Sequence, residues 1–406
     1  MADALTARAR RGWSASPAAV RVGVLYLAAR AVTTGFFLAA AALSGPASRF
    51  GADATVGDLA MGWDATWYWY VAVNGYPTTL PLTDSGLVAE NQWAFMPLYP
   101  YLAAALGTVL GGWGAAAVVI SLLAGYGAAL VLYRMMRMRV DRSAATWTVV
   151  FFVGGPLAAL FQIGYAESLF LFWLLLSLWL VMRRRYGWLY LLIPVMGFTR
   201  PGILAFSLFL ALFGIWRWFR RRAEPLHARE VVHIVALGLL AAVVGFAWQA
   251  IAAIATGDIG AYLATELAWR RNWIPDSSGD FFPVEGFLAA TEFWSTLWGW
   301  PVALGYIVLA VAIVAIGAAL LFARPVRRLG VEVRLWSASY LLYLLAVFFP
   351  QSSIFRLLVP ISPLWGAVAV PKSTFWRMSV LVTGLVLQWW WIYNMYALAN
   401  TYWQIP

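Results

Sequence analysis

Apolar residues along this chain come in long unbroken runs, not in the alternating or one-sided stripes of a soluble fold. Eleven runs read as helices: 22–43, 114–135, 144–162, 166–182, 186–199, 202–219, 231–255, 296–322, 333–350, 355–370 and 376–398. Crossing the hydrocarbon core takes roughly 20 apolar residues. The pattern predicts an all-α polytopic membrane protein with one transmembrane domain over 1–406. Two long stretches interrupt it, 44–113 and 256–295, both rich in Trp, Tyr, Gly and Asp. Neither is long enough for a separate domain with a large core, so both are expected to pack on the helices as a lid. No internal repeat stands out.

The basic residues set the direction of each run. Arg8, Arg10 and Arg11 precede the first run. Further clusters are Arg134 to Arg142, Arg183 to Arg185, Arg217 to Arg229, Arg324 to Arg334, and Lys372 with Arg377. Arg and Lys concentrate in cytoplasmic loops, and an N-terminus inside with eleven spans puts every cluster there. Residues 97–111 decide the parity. If they crossed the bilayer, every later cluster would face outside, so this short proline-led segment is expected to lie on the outer surface. The cytoplasmic side then carries 22 Arg and Lys against 5 acids, and the outer side 5 Arg against 12 acids. The first run is too long for a signal-peptide core and is expected to be a retained anchor in the plasma (inner) membrane.

Composition agrees. The chain is 63% hydrophobic and 11% charged, where a soluble domain is about 25% charged. A net charge of +11 invites a nucleic-acid reading, but the charges follow membrane sidedness and touch anionic lipid; no nucleic-acid partner is expected. With no cysteine and two histidines, His227 and His233, thiolate catalysis and Cys/His metal sites are excluded.

Against that background, lone charges on the outer side are informative. Asp64 stands in GWDATWYWYVAVNGYP among Trp63, Trp67, Tyr68, Trp69 and Tyr70. An aromatic belt at the interface explains the rings but not the carboxylate, which is a candidate general base. Glu167, with Tyr165 beside it in GYAES, opens the next candidate stretch. It suits a first-turn acid at a helix N-terminus or a second acid facing the same cavity. Arg200 in GFTRPG and Arg356 in FFPQSSIFR, the latter near Gln351, stand alone among apolar residues. Pro201 should break the helix and Gly202 should let the chain turn. A guanidinium is a fork matched to phosphate oxygens; the structural alternative is an ion pair, for example Arg200 with Glu167. Arg270 and Arg271 in ELAWRRNW are either further phosphate ligands or a solvated pair. Asp53, Asp58, Asp84, Asp258, Asp276, Asp280, Glu285 and Glu292 read as solvated loop acids with no metal-ligand spacing. Arg30 points into the bundle or snorkels inward, with no functional role assigned. Physics alone leaves two classes open: an enzyme acting on a lipid-linked anion, or an anion transporter. Transporters of this size tend to carry internal repeats and midplane charges on broken helices, which disfavours the second.

Four stretches, in order, carry a family resemblance: WDATWYWYVAVNGYP (63–77) followed by AFMPLYPYL (94–102), GYAESLFLFWLLLSLWL (164–180), GFTRPG (197–202) and FRLLVPISPLWG (355–366). Together they resemble the PIG-V-type GPI mannosyltransferase family within the GT-C superfamily of membrane glycosyltransferases. The resemblance implies a GT-C bundle of about 11 transmembrane helices with outer-surface juxtamembrane helices. It implies a polyprenyl-phosphate-sugar donor, usually of mannose, a lipid or glycan acceptor and an extracytoplasmic site; with arginines to neutralise the leaving phosphate no cofactor is required, and a divalent metal stays open. Asp64 matches the GT-C base; Arg200 and Arg356, with Arg270 and Arg271, are the expected phosphate ligands. Trp63, Trp67, Tyr68, Tyr165, Glu167 and Gln351 are the expected substrate neighbours. Two departures leave the acceptor open: Phe95-Met96-Pro97 where the family often has Phe-Phe-Pro, and Arg356-Leu357-Leu358 where it often has Arg-Tyr-Leu. Ala/Arg/Gly-rich usage with a single Lys resembles a high-GC bacterium, and bacteria lack GPI anchors, so another acceptor is expected. Sugars other than mannose stay open.

Overall fold

The computed structural model describes residues 16–274, 282–401 and 403–406. Arg8, Arg10, Arg11, Asp276 and Asp280 lie outside the described residues. In order the helices are α1 Ala18–Leu43, α2 Val56–Met61, α3 Asp64–Asn74, α4 Leu98–Leu110, α5 Trp113–Arg137 and α6 Arg142–Val153. They continue with α7 Glu167–Met182, α8 Leu189–Gly197, α9 Ile203–Arg220, α10 Ala228–Thr256, α11 Ala261–Arg271 and α12 Glu285–Leu297. The last are α13 Val302–Phe322, α14 Arg324–Arg327, α15 Val331–Val347, α16 Ile354–Leu357, α17 Trp365–Ala369 and α18 Thr374–Ile392. Among the described residues there is no β-strand, only an isolated bridge between Leu82 and Val88. The chain is all-α.

Five helices among the described residues, α1, α5, α9, α10 and α13, are long and apolar enough to cross a membrane. On α13 only Leu320 is buried; a helix apolar all round and bare of protein suits lipid as its solvent. The core sits between α5, α7, α9 and α15. Leu174, Leu175 and Leu178 of α7 are fully buried against Leu132, Met135 and Met136 of α5, with Phe206 and Phe209 of α9 and Trp336 of α15 behind them. Ala116, Ala117, Ala124 and Ala128 of α5 are buried, and such small side chains let backbones approach closely where van der Waals packing must hold helices together.

Several apolar runs are broken helices, each for a local reason. The run 144–162 stops at Val153, because Gly154, Gly155 and Pro156 cannot hold the ladder. Arg30 of α1 meets the carbonyls freed there: its guanidinium donates to the carbonyls of Val153 (2.7 Å) and Ala158 (2.5 Å). The run 355–370 contains Pro360 and Pro363 and divides into α16, a 3₁₀ segment Val359–Leu364 and α17. Side chains of α15 satisfy it, with Tyr340 donating to the Leu357 carbonyl (2.8 Å) and Trp336 to the Pro360 carbonyl (2.9 Å). The run 296–322 turns at Gly299 and Pro301, so its first residues close α12 and the rest is α13. The run 376–398 ends as α18 at Ile392, followed by a π-helical turn over Tyr393–Leu398.

The segment 97–111 forms α4, thirteen residues, about 20 Å at 1.5 Å per residue and short for a span. It is tied to α5 by the Tyr99 hydroxyl on the Ala117 carbonyl (3.0 Å). The second long loop folds over the first. Asn91 donates to Thr265 of α11 (2.8 Å), and Trp248 of α10 donates to the Trp93 carbonyl (2.9 Å).

Candidate active site

Asp64 owes its position to the residue before it. Trp63 has φ of +55°, a conformation that costs a bulky residue energy unless its surroundings hold it. They do. The indole N–H donates to the Met395 carbonyl (2.8 Å), and the Arg49 guanidinium lies 3.9 Å from the ring centroid. The turn delivers Asp64 as the first residue of α3. Beside it the 164–166 turn comes close: the Gly164 N–H donates to the Ala60 carbonyl (2.9 Å), and a Cβ at Gly164 would lie 3.1 Å from that of Ala65. That approach brings the start of α7, and so Glu167, next to α3.

The TRPG turn places Arg200. Gly202 has φ of +129°, which a side chain rarely adopts, and it caps α9 after the chain has left α8. The preceding Phe198 carbonyl accepts from the Leu98 N–H of α4 (2.9 Å). Arg356 comes from α16, the four-residue helix in the proline-broken run.

The four charges that the sequence singled out meet here. Arg356 Nη1 donates to Asp64 Oδ2 at 2.5 Å. Its Nε lies 3.4 Å from Glu167 Oε1, and Arg200 Nη2 lies 3.3 Å from the same oxygen. Two guanidinium groups thus flank one carboxylate oxygen. Glu167, Arg200 and Arg356 are buried, whereas the Asp64 side chain keeps 26% of its surface open. The Tyr165 ring lies 5.3 Å from the Arg356 guanidinium, a spacing that suits cation–π attraction.

Around the charges is an aromatic shell. Trp67 stacks on Phe95 (5.8 Å between centroids) and meets Trp269 of α11 edge-on (5.4 Å). Tyr68 is buried against Phe95 and Tyr99. Burial pushes its phenol well above the usual range, with Glu167 and Asp64 adding to the push. Trp63 is held by the Met395 carbonyl and Arg49, as described, and Gln351 bonds to Ser353 (3.3 Å).

Arg270 and Arg271 have other partners. Arg270 makes a two-pronged pair with Glu285 of α12 (2.8 and 3.3 Å), and Arg271 donates to the Val88 carbonyl. Among the described residues no ion pair joins either to Asp64 or Glu167. Glu285, read from sequence as a solvated acid, is therefore a partner that fastens the second loop; Arg270 holds its carboxyl below the usual range.

Two acids escaped the sequence reading. Glu266 of α11 accepts a hydrogen bond from Tyr262, and burial pushes its carboxyl up to about 7 against the pull of Tyr262 and Arg200. Glu90 accepts from Asn272; burial raises it, Asn272 lowers it, and Asp64 raises it further. The only sequence signal for Glu266 was its position four residues after Tyr262, which places both on one helix face. Among the described residues no three His, Cys, Asp or Glu gather as a metal-ligand set.

Beyond Arg356 the surface turns apolar. A groove of about 450 Å³ runs between the break after α6, the α16–α17 region and α18. Phe355, Leu358, Val359, Trp365, Leu387 and Trp391 line it. One short helix, α16, thus carries Arg356 toward Asp64 and Phe355 into the groove.

By sequence, no family model matches the chain and no curated protein matches it. Among solved structures it is similar to ArnT from Cupriavidus metallidurans bound to undecaprenyl phosphate, at 15% identity and a TM-score of 0.48. That match covers 90% of this chain and 62% of the other. It is also similar to the archaeal oligosaccharyltransferase AglB from Archaeoglobus fulgidus, in complex with an inhibitory peptide and a dolichol-phosphate. There the identity is 14% and the TM-score 0.46, covering 90% of this chain and 56% of the other. The chain therefore spans roughly three fifths of the length of these structures.

Proposed function

We propose that this chain is an inverting glycosyltransferase of the GT-C type and a relative of the PIG-V enzymes. In this reading it moves mannose from a polyprenyl-phosphate donor to a lipid or glycan acceptor on the non-cytoplasmic face of the membrane. One observation carries the reading: a partly open carboxylate, Asp64, is held by an arginine whose neighbour in sequence lines an apolar groove. A lipid phosphate has this same division, an anionic head on an apolar chain.

The chemistry follows from the site. The polyprenyl chain lies in the groove, and its phosphate meets Arg356 and Arg200. The phosphate competes with Asp64 and Glu167 for the guanidinium groups through charge-assisted hydrogen bonds. As Arg356 turns to the phosphate, Asp64 is released toward the acceptor. An acceptor hydroxyl oxygen then attacks the anomeric carbon from the face opposite the phosphate. The carbon–oxygen bond to phosphate breaks, and its electron pair leaves with the phosphate, whose growing charge the arginines stabilise. A carboxylate is a weak base toward an alcohol, so the hydroxyl proton reaches Asp64 late, once the new bond is largely formed. Attack on a β-linked donor gives an α-mannoside. The Trp67, Phe95 and Trp269 shell keeps water from the donor. No step calls for a metal.

The test is transfer by the purified protein in detergent and lipid. It is given polyprenyl-phosphate mannose with labelled sugar and a membrane-lipid extract, beside Asp64→Asn. Label in a new product, lost in the variant, supports the reading and exposes the acceptor. Transfer only from a different polyprenyl-phosphate sugar replaces mannose. Binding of no lipid-linked sugar overturns the enzyme reading in favour of transport.

A further inference from the structure

Glu167 touches both arginines of the site, yet neither of its side-chain oxygens accepts a hydrogen bond among the described residues. Arg200 Nη2 lies 3.3 Å and Arg356 Nε 3.4 Å from the same oxygen, Oε1. The two nitrogens are therefore no more than about 7 Å apart. One phosphate group can bridge such a gap with two charge-assisted bonds of about 2.7–2.9 Å. Glu167 thus stands close to where a phosphate between the arginines would sit, and its backbone leaves it little room to withdraw. It is the first residue of α7. On one side of it the Ser168 hydroxyl donates to the Leu160 carbonyl (2.8 Å), and on the other the Ser121 hydroxyl donates to the Tyr165 carbonyl (3.2 Å). Its side chain is 3% exposed against 26% for Asp64. Water screens its charge little, and an anion held by the arginines feels it strongly.

Charge decides what such a site retains. Once Asp64 turns to the acceptor, two guanidinium groups and one buried carboxylate surround the phosphate, which leaves one net positive charge. A polyprenyl-phosphate sugar is a phosphodiester with one negative charge. The polyprenyl phosphate left after transfer is a monoester, whose second proton leaves at about pH 6, so it then carries nearly two. Two arginines alone would hold that product harder than the donor, and the product would block the site. We propose that Glu167 is a positioning residue that, through Arg200 and Arg356, matches the site to a singly charged phosphodiester and turns out the doubly charged product. The inference rests on the reading of both arginines as phosphate ligands. As the product leaves, both guanidinium groups return to Glu167, in the arrangement the structure shows.

The test compares two synthetic lipids that differ by one charge and one methyl group. They are a short-chain polyprenyl phosphate and its methyl phosphodiester, each titrated at pH 8 against the full chain in lipid. Wild type should bind the diester at least as well as the monoester. In Glu167→Gln, which keeps the shape and loses the charge, the monoester should gain about tenfold or more over the diester, as expected for one poorly screened charge a few ångströms away. Glu167→Asp keeps the charge and should keep the wild-type order. A merely structural Glu167 would weaken both lipids in parallel on substitution and leave their ratio alone, and that result overturns the proposal. A wild type that prefers the monoester overturns it too, and that measurement needs no variant to fold. Binding of both lipids with a ratio indifferent to Glu167 overturns only the charge selection. Binding of neither overturns the phosphate reading itself, and the charge selection falls with it.

Discussion

Two arginine–carboxylate clusters sit at opposite ends of α7 and α9, and they are built differently. At the far end, Arg217 is fully buried and its donors are used. It donates to Glu230 (3.2 and 3.3 Å), Glu224 (2.8 Å) and the Pro225 carbonyl (3.0 Å). Tyr186 completes Glu230 (2.9 Å), and Arg139 pairs with Glu332 (2.7 Å) nearby. At the near end, Glu167 is just as buried, yet neither carboxylate oxygen has a hydrogen bond among the described residues. Its contacts are ion pairs of 3.3 and 3.4 Å. Buried polar groups are normally satisfied, and leaving one short costs free energy. The saturated cluster has the character of a structural clamp, whereas the strained one keeps charge in hand for something that arrives. The apolar groove opens at the strained end, beside Arg356.

The sharpest way to break that contrast is Asp64→Asn. In the proposed mechanism it removes the base and should lower the rate of transfer about 10²–10⁴-fold, with donor affinity and thermal midpoint nearly unchanged. The matching change in the other cluster is Arg217→Met. It leaves Glu230 buried without its main partner and should cost about 3–5 kcal/mol of stability, as breaking a buried pair does. The protein that remains folded should keep its turnover per molecule. Unfolding curves beside initial rates separate the two outcomes; a catalytic loss without a stability loss at Arg217 would erase the distinction.

Arg200→Ala and Arg356→Ala come next. Each removes charge-assisted bonds worth about 1.5–3 kcal/mol, so donor Kd should rise roughly 10- to 150-fold. Unchanged affinity in both would remove the phosphate clamp.

Much of this could be read in the chain. Asp64, Glu167, Arg200 and Arg356 stood out as lone charges in apolar or aromatic surroundings, and the fold brings all four together. The TRPG turn was legible because proline and glycine act locally: Gly202 takes φ of +129°. The broken runs were harder. Hydropathy sees Gly154 to Pro156 as apolar, and the donors for the freed carbonyls of Val153 and Ala158 come from Arg30, more than a hundred residues away. Glu266 was hidden for a related reason. It lies on α11, which the Asn91–Thr265 bond ties to the first loop, and a loop acid looks solvated until its surroundings are known.

The smallest expected effect separates two uses of arginine in the second loop. Sequence offered Arg270 as a phosphate ligand; in the structure it grips Glu285 with two bonds and lies 5.8 Å from the Phe349 ring. Glu285 is about a third exposed, so water screens the pair, and such pairs contribute about 0–1 kcal/mol. Arg270→Gln should therefore shift stability by no more than about 1 kcal/mol and leave donor Kd where it was. The Arg–Glu pair would then be a fastening of α11 to α12 and no part of the charge held for substrate. A rise in Kd comparable to that of Arg200→Ala would say the opposite: Arg270 lets go of Glu285 when donor binds, and the strained cluster extends into the second loop.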